Sequence, residues 1–288
     1  MDPIAAPTRP QRPIFDPLRR LLPAALLLLA ASSTLAAAPL PTATPAASPG
    51  SAPGPSPTAP ANASPVPYQA VLIAGDNSLP VFDNAVSDVD GMLRRAGAAT
   101  GVTRLSATPA AIAGGARPAT LAAVLASVAA LRPAPGQACL IYATSHGVSN
   151  RGLYLAAQEE VLTPAQLDRA LQSGCSTAPT VVVISSCFSG LFAQGAMARP
   201  NRIILTAARA DRTSFGCGAG RTYTVYDRCL LDQLGAGKWD GGAWPAIHAA
   251  LRRCVATEER AEAVDQPSLP QAWFGPRAAS LPAPRPTP

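Results

Sequence analysis

The sequence reads as an α/β protein: a mostly parallel sheet with helices packed on both of its faces. Three observations lead there. Two short runs, Cys139-Leu140-Ile141-Tyr142-Ala143-Thr144 and Thr180-Val181-Val182-Val183-Ile184-Ser185, are apolar at nearly every position. Strands with no polar face belong to sheets covered on both sides, as parallel sheets are. Strand-like runs also alternate with helix-period segments along residues 68–207, the pattern of a sheet flanked by helices. Finally, both apolar runs end in small residues, Gly and one reactive side chain, His146 in the first and Cys187 in the second.

The elements follow in order. Residues 68–76 form a first strand ending in a turn. Residues 84–96 carry Ala85, Val86, Val89, Met92 and Leu93 at helical spacing, with Asp83 placed as the N-cap. A second strand is expected at 102–105 and a helix at 119–131, stopped by Pro133. The strand leading to His146 comes next. Thr163-Pro164-Ala165-Gln166 opens a further helix, with a capping residue and Pro at the first helical position, running to about 173. After the Cys187 strand come a strand at 202–207, a long loop at 209–222, a helix near 244–255 and a late strand at 271–274.

The termini read differently. Arg9, Arg12, Arg19 and Arg20 precede an apolar run beginning at Leu21, and Thr34-Leu35-Ala36-Ala37-Ala38 follows it. A basic region, a short apolar core and small residues at a cut site form a secretory signal, expected over 1–36. The apolar run falls short of the ~20 residues of a membrane-spanning helix. Residues 37–67 are nearly all Pro, Ala, Ser, Thr and Gly, too poor in apolar surface to offset their ordering entropy, and are expected to be a disordered linker. A similar tail is expected over 278–288. One globular domain, 68–277, remains, and its size supports a substantial core.

The formal charge is +6, of which the signal region contributes +2, and the remaining arginines form no stripe interleaved with aromatics. Nucleic acid is therefore not an expected partner, nor is a membrane once the signal is removed. The six cysteines, at 139, 175, 187, 217, 229 and 254, show no C-x-x-C spacing and no zinc pattern, so neither a metal nor a cofactor is expected. An exported chain favours disulfides, but reserving Cys187 as a nucleophile leaves an odd number, so at least one other thiol is free. Cys139, inside an apolar strand, is expected to be a small buried hydrophobe.

Ligands of open parallel sheets bind beyond the carboxyl ends of the strands. If the strands ending at His146 and Cys187 are neighbours, an imidazole and a thiol meet there, and a thiol attacks only as thiolate. The chain has one other histidine, His248, which lies in an ordinary helical stretch. Taken alone, His146 reads as a structural histidine; paired with Cys187 it reads as a general base or acid. Acyl transfer also needs two N–H donors for the developing oxyanion, and the backbone N–H groups of Gly147 and Cys187 are the candidates. Ser189 lacks a G-x-S-x-G elbow, which excludes a serine hydrolase of that kind.

Thr144-Ser145-His146-Gly147, the 41-residue step to Cys187, and Ile184-Ser185-Ser186-Cys187-Phe188-Ser189-Gly190 together resemble the legumain-type cysteine peptidases, family C13 of the caspase-like clan. Leu205-Thr206-Ala207-Ala208 with Ser214-Phe215-Gly216-Cys217, Gly75-Asp76-Asn77-Ser78, and Pro270-Gln271 extend the resemblance over about 68–275. It implies a caspase-like three-layer sandwich, no cofactor, and peptide or protein substrates. Ala210-Asp211-Arg212-Thr213-Ser214-Phe215 is more similar to the family's bacterial branch. Two departures stand out: the family's Arg-His pair is replaced by Asp83-Asn84-Ala85, and the acid two positions before the nucleophile is replaced by Ser185. Asparaginyl specificity is therefore not implied.

The expectation is an exported cysteine endopeptidase working through a Cys187–His146 dyad and an acyl-enzyme. The alternative is a non-catalytic peptide-binding module, or a transamidase-like relative, on the same fold. The 209–227 loop is expected to wall the specificity pocket, with Thr213, Ser214 and Asp227 in it, Asn84 across from it and Ser185 as a further substrate-binding candidate; Asp227 would then favour a basic or amide side chain, a preference that Arg209, Arg212 or Arg221 would reverse by pointing inward. The competing reading is a structural loop held by a Cys217–Cys229 disulfide.

Overall fold

The computed structural model describes residues 66–218, 220–235 and 243–284. The expected signal segment and nearly all of the expected linker lie outside the described residues. Seven strands form one sheet in the order β10-β9-β8-β4-β1-β2-β3. Strand β1 (Tyr68–Ala74) leads to helix α1 (Val81–Arg95), then β2 (Ala99–Ser106), the short α2 (Pro109–Ala113) and β3 (Arg117–Pro118). Helix α3 (Leu121–Ala129) precedes β4 (Ala138–Thr144). A small antiparallel sheet follows, made of β5 (Gly147–Val148), β6 (Gly152–Leu155) and β7 (Glu160–Leu162). Then come α4 (Pro164–Gly174), β8 (Thr180–Ser185), two short 3₁₀ turns, β9 (Arg202–Thr206), α5 (Val225–Gly235), α6 (Trp244–Ala261) and β10 (Gln271–Phe274). Every pairing in the large sheet is parallel except that of β10 with β9.

The unbroken apolar runs have a direct explanation. All of β4 and β8 is buried. Alternate residues point to opposite faces of a strand, so Leu140, Tyr142, Val181 and Val183 join the core under α1, α5 and α6. Cys139, Ile141, Ala143, Val182 and Ile184 join the core under α3 and α4. Two helical layers thus cover one sheet, and each core carries a staple. Cys139 pairs with Cys175 at the end of α4, and Cys229 of α5 pairs with Cys254 of α6.

Several boundaries differ from those expected. Helix α1 begins at Val81 with Pro80 as its N-cap, so Asp83 sits in the first turn and caps nothing. Thr120, not the start of the 119–131 span, caps α3 through Ala123 N–H. Thr163 forms the full capping box with Gln166. Cys139 is a disulfide partner and not a simple hydrophobe. The Cys217–Cys229 bridge of the competing loop reading does not form, because α6 presents Cys254 to Cys229 and leaves Cys217 as a thiol. Residues 278–284, assigned to the tail, pack onto the domain: Ala278, Leu281 and Ala283 are buried, and the Tyr68 hydroxyl donates to the carbonyl of Pro282 at 2.8 Å. Among the described residues no helix is long and apolar enough to cross a membrane.

Candidate active site

Strands β4 and β8 are adjacent and parallel, in a register that pairs Thr144 with Ser185. His146 and Cys187 therefore each lie two residues past the same rung, on neighbouring strands. The ladder runs one step further, with Ser145 N–H donating to Ser185 O at 3.1 Å. Beyond it the two chains turn. Phe188 adopts φ 57°, ψ 14°, a left-handed conformation that a bulky residue holds only where its surroundings impose it. Its N–H donates to Arg212 O at 2.7 Å, which ties the turn to the loop leaving β9. Cys187 is left half-buried at the apex.

The His146 side is fixed by the small sheet. Tyr154 N–H donates to His146 O at 2.9 Å, the Ser145 hydroxyl donates to Tyr154 O at 2.7 Å, and Ala156 N–H donates to Gly75 O at 2.8 Å. The imidazole packs edge-on against Phe82 of α1, with ring centroids 5.4 Å apart. Gly147 must be glycine. A Cβ there would fall 1.9 Å from the carbonyl oxygen of Cys187 and 3.0 Å from its nitrogen. No side chain fits, so the main chain after His146 lies directly on the main chain of Cys187.

The thiol of Cys187 lies against Ser214. Its N–H lies 3.3 Å from Sγ, with its carbonyl oxygen at 3.7 Å and Oγ at 3.9 Å. Cys217 is the other free thiol. Burial, together with the charges of Cys187, Asp227 and Asp76, pushes it up to about 12, so it stays protonated near neutral pH.

Among the expected substrate-binding residues, Ser214 touches the Cys187 thiol, and Thr213 beside it is exposed. Asn84 reaches across from α1, its Nδ2 donating to Thr222 O at 3.0 Å. Ser185 is buried, its Oγ 3.4 Å from Thr224 Oγ1. Asp227 is a correction. It does not wall a pocket, because α5 begins at Val225 and turns the Asp227 side chain back under the strand ends, where it is fully buried. There it accepts from Tyr142 OH at 2.6 Å, Thr144 Oγ1 at 2.8 Å and Thr224 Oγ1 at 2.9 Å. Burial raises its pKa, against the lowering effect of those hydroxyls.

Ser214 as the thiol's neighbour, Phe82 as the imidazole's support and the Tyr142–Thr144–Thr224 nest were not singled out in the sequence for these roles. Thr144 alone carried a signal, standing two residues before His146. Among the described residues no cluster of His, Cys, Asp and Glu forms a metal site.

The Peptidase C13 family model matches residues 119–237, the segment holding His146, Cys187 and the β9 loop. That segment is similar to the C13 peptidases over 119 of the 288 residues. Three solved structures are similar in fold. Caspase-1 from Spodoptera frugiperda is 12% identical with TM-score 0.49, over 74% of this chain and 91% of that one. A structure titled pro-sf-caspase-1 is 13% identical with TM-score 0.51, over 74% and 96%. Protein GSU0716 from Geobacter sulfurreducens is 15% identical with TM-score 0.51, over 76% and 98%. The last two share the caspase-like sandwich with this chain. None of the curated proteins matches it in sequence.

Proposed function

We propose that the protein is a cysteine endopeptidase whose nucleophile is Cys187 and whose general base and acid is His146. The observation that carries this reading is the junction itself: the His146-Gly147 main chain lies against Cys187 at the in-register ends of two neighbouring parallel strands, with the Ser214 N–H on the sulfur. The thiolate attacks the scissile carbonyl carbon. The negative charge moves to the carbonyl oxygen, which faces the N–H groups of Cys187 and Gly147. Collapse breaks the C–N bond as the leaving amine takes a proton from His146, and water then hydrolyses the thioester with His146 accepting its proton. Where imidazole and thiol do not form a tight ion pair, the leaving-group proton is the main contribution of His146.

Thr213 and Ser214 supply polar contacts beside the nucleophile, with Asn84 holding the opposite wall in place. The N-terminal segment supports export to the periplasm or the extracellular space. Two disulfides within the domain accord with an oxidising compartment.

Iodoacetamide tests the nucleophile: Cys187 in the native protein should alkylate faster than Cys217. Turnover of a peptide library should be lost in Cys187→Ala, by a factor of at least about 10³. Peptide affinity without turnover in either protein would establish a binding module instead.

A further inference from the structure

Helix α6 has two unlike sides. Trp244, Ile247, Leu251 and Val255 bury one side in the core. Its acids are all engaged: Glu258 pairs with Arg228, Glu259 accepts from Ser268 N–H at 3.0 Å, and Glu262, just past the helix, pairs with Arg221 at 2.5 Å. The outward stripe is left entirely cationic. Arg252, Arg253 and Arg260 are exposed there, and none has a carboxylate partner among the described residues. With Ala249, Ala256 and Thr257 they line an open depression of about 550 Å³. At 1.5 Å per residue the three guanidinium groups span roughly 12 Å of helix.

The stripe is connected to the catalytic edge. Strand β10 runs antiparallel to β9 with Gln271 opposite Thr206, so the segment after α6 returns at the carboxyl end of β9. That segment is tied to the loop beside Cys187: Arg209 N–H donates to Ser268 O at 2.8 Å, and Arg212 Nη1 to Gln266 Oε1 at 2.8 Å. The same Arg212 accepts the N–H of Phe188. The arginines thus lead away from the nucleophile along α6.

We propose that this stripe is an exosite for an acidic segment of the protein substrate, a run of Asp or Glu lying outside the residues bound at Cys187. Guanidinium groups match carboxylates in geometry. The small floor of Ala249 and Ala256 lets an extended chain settle between them. A membrane surface fits less well, since a helix that lies on lipid offers an apolar face, and the apolar face of α6 is spent on the core. The proposal rests on the peptidase reading for its context but not for its test.

The test compares two fluorescent peptides with the same cleavage sequence, one followed by four Glu and the other by four Gln. Binding is read by anisotropy on Cys187→Ala protein, and turnover on the wild type. The Glu peptide should bind roughly ten-fold tighter at low ionic strength, losing the advantage in salt. Arg252→Glu/Arg253→Glu/Arg260→Glu should abolish the difference and raise KM for the Glu peptide with kcat unchanged. Arg→Gln at the same three positions should remove the advantage without reversing it, which separates charge from misfolding. Equal affinity for the two peptides, or an advantage untouched by the triple variants, overturns the exosite even if both peptides are cleaved. Arginine-dependent binding without cleavage supports the site and sinks the peptidase reading. Capture by vesicles of anionic phospholipid, with no preference for the Glu peptide, overturns it in favour of a lipid surface.

Discussion

Two buried carboxylates sit on opposite faces of the same sheet and are held in opposite ways. Asp168 of α4, under the α3–α4 layer, takes Arg199 Nε at 2.8 Å and Arg202 Nη1 at 2.7 Å. Burial alone would raise its pKa, but the hydrogen bonds and charges of the two arginines outweigh it and the carboxyl ends lower than usual. Asp227 of α5 is held, among the described residues, by hydroxyls, those of Tyr142, Thr144, Ser185 and Thr224, and burial leaves it higher than usual. The difference follows location. Arg202 is almost wholly buried and needs a counter-charge, so Asp168 exists to neutralise a cation. Asp227 lies under the ends of β4 and β8, where an arginine would bring a second fixed charge to the floor of the crevice. Hydroxyls hold the strand ends together there without one.

The comparison breaks first at Asp168. Replacing Asp168 with Ala leaves the Arg202 guanidinium buried and unpaired, and should cost about 3–5 kcal/mol in urea unfolding. Arg199 is more exposed, so Arg199→Ala should cost under about 1 kcal/mol. A loss for Asp168→Ala no larger than for Arg199→Ala would show that Arg202 finds other partners.

Asp227→Ala should cost less, about 1–3 kcal/mol, because it strands hydroxyls and not a charge. Its effect should concentrate at the active edge: faster hydrogen exchange in residues 222–227 and at the ends of β4 and β8, with the α3–α4 layer unchanged. Uniform loosening of both layers would mean that Asp227 is an ordinary core residue.

Titration separates the two carboxylates without changing a contact. A lowered folded-state pKa makes Asp168 stabilising above the ordinary carboxylate range, a contribution lost as pH falls through its folded value. A raised one does the reverse: the contribution of Asp227 is fully present below the ordinary range and lost as pH rises through its folded value. Stability of Asp227→Asn should therefore lack the fall between pH ~4 and the raised value, while its acid limb, set partly by Asp168, persists. An unchanged profile in Asp227→Asn would mean that the hydroxyl donors offset burial completely.

The main strands were legible because β4, β8 and β9 are buried throughout and β1 at every position but Gln69, and continuous apolar runs are hard to mistake. The placement of His146 and Cys187 at matching strand ends was legible for the same reason, since neighbouring parallel strands in register end at one level. The small sheet at 147–162 was not. Its strands are two to four residues long and carry no periodicity, yet they seat His146. Helix α5 was hidden by Asp227 itself, a charge in the stripe that also buries Val225, Tyr226, Cys229 and Leu230. Once that helix is missed, Asp227 falls in a loop and looks accessible. The disulfides were illegible in principle, because Cys139–Cys175 and Cys229–Cys254 depend on which helix covers which strand.

The smallest expected effect tests how far the hydroxyl nest extends toward Cys187. Thr224 Oγ1 already spends its proton on Asp227 Oδ2 and accepts Asp227 N–H at 3.0 Å. The 3.4 Å contact with Ser185 is longer than the others, and the Ser185 hydroxyl also acts on the carboxylate itself, as a hydrogen bond that lowers its pKa. Ser185→Ala removes the donor itself and leaves no stranded hydrogen, so the loss should stay at the lower end of about 0.5–1.5 kcal/mol. Alkylation of Cys187 should proceed at the wild-type rate, since the Ser214 N–H on the sulfur is untouched. A loss matching that of Asp227→Ala would place Ser185 at the centre of the nest, and slower alkylation would extend the nest to the thiol.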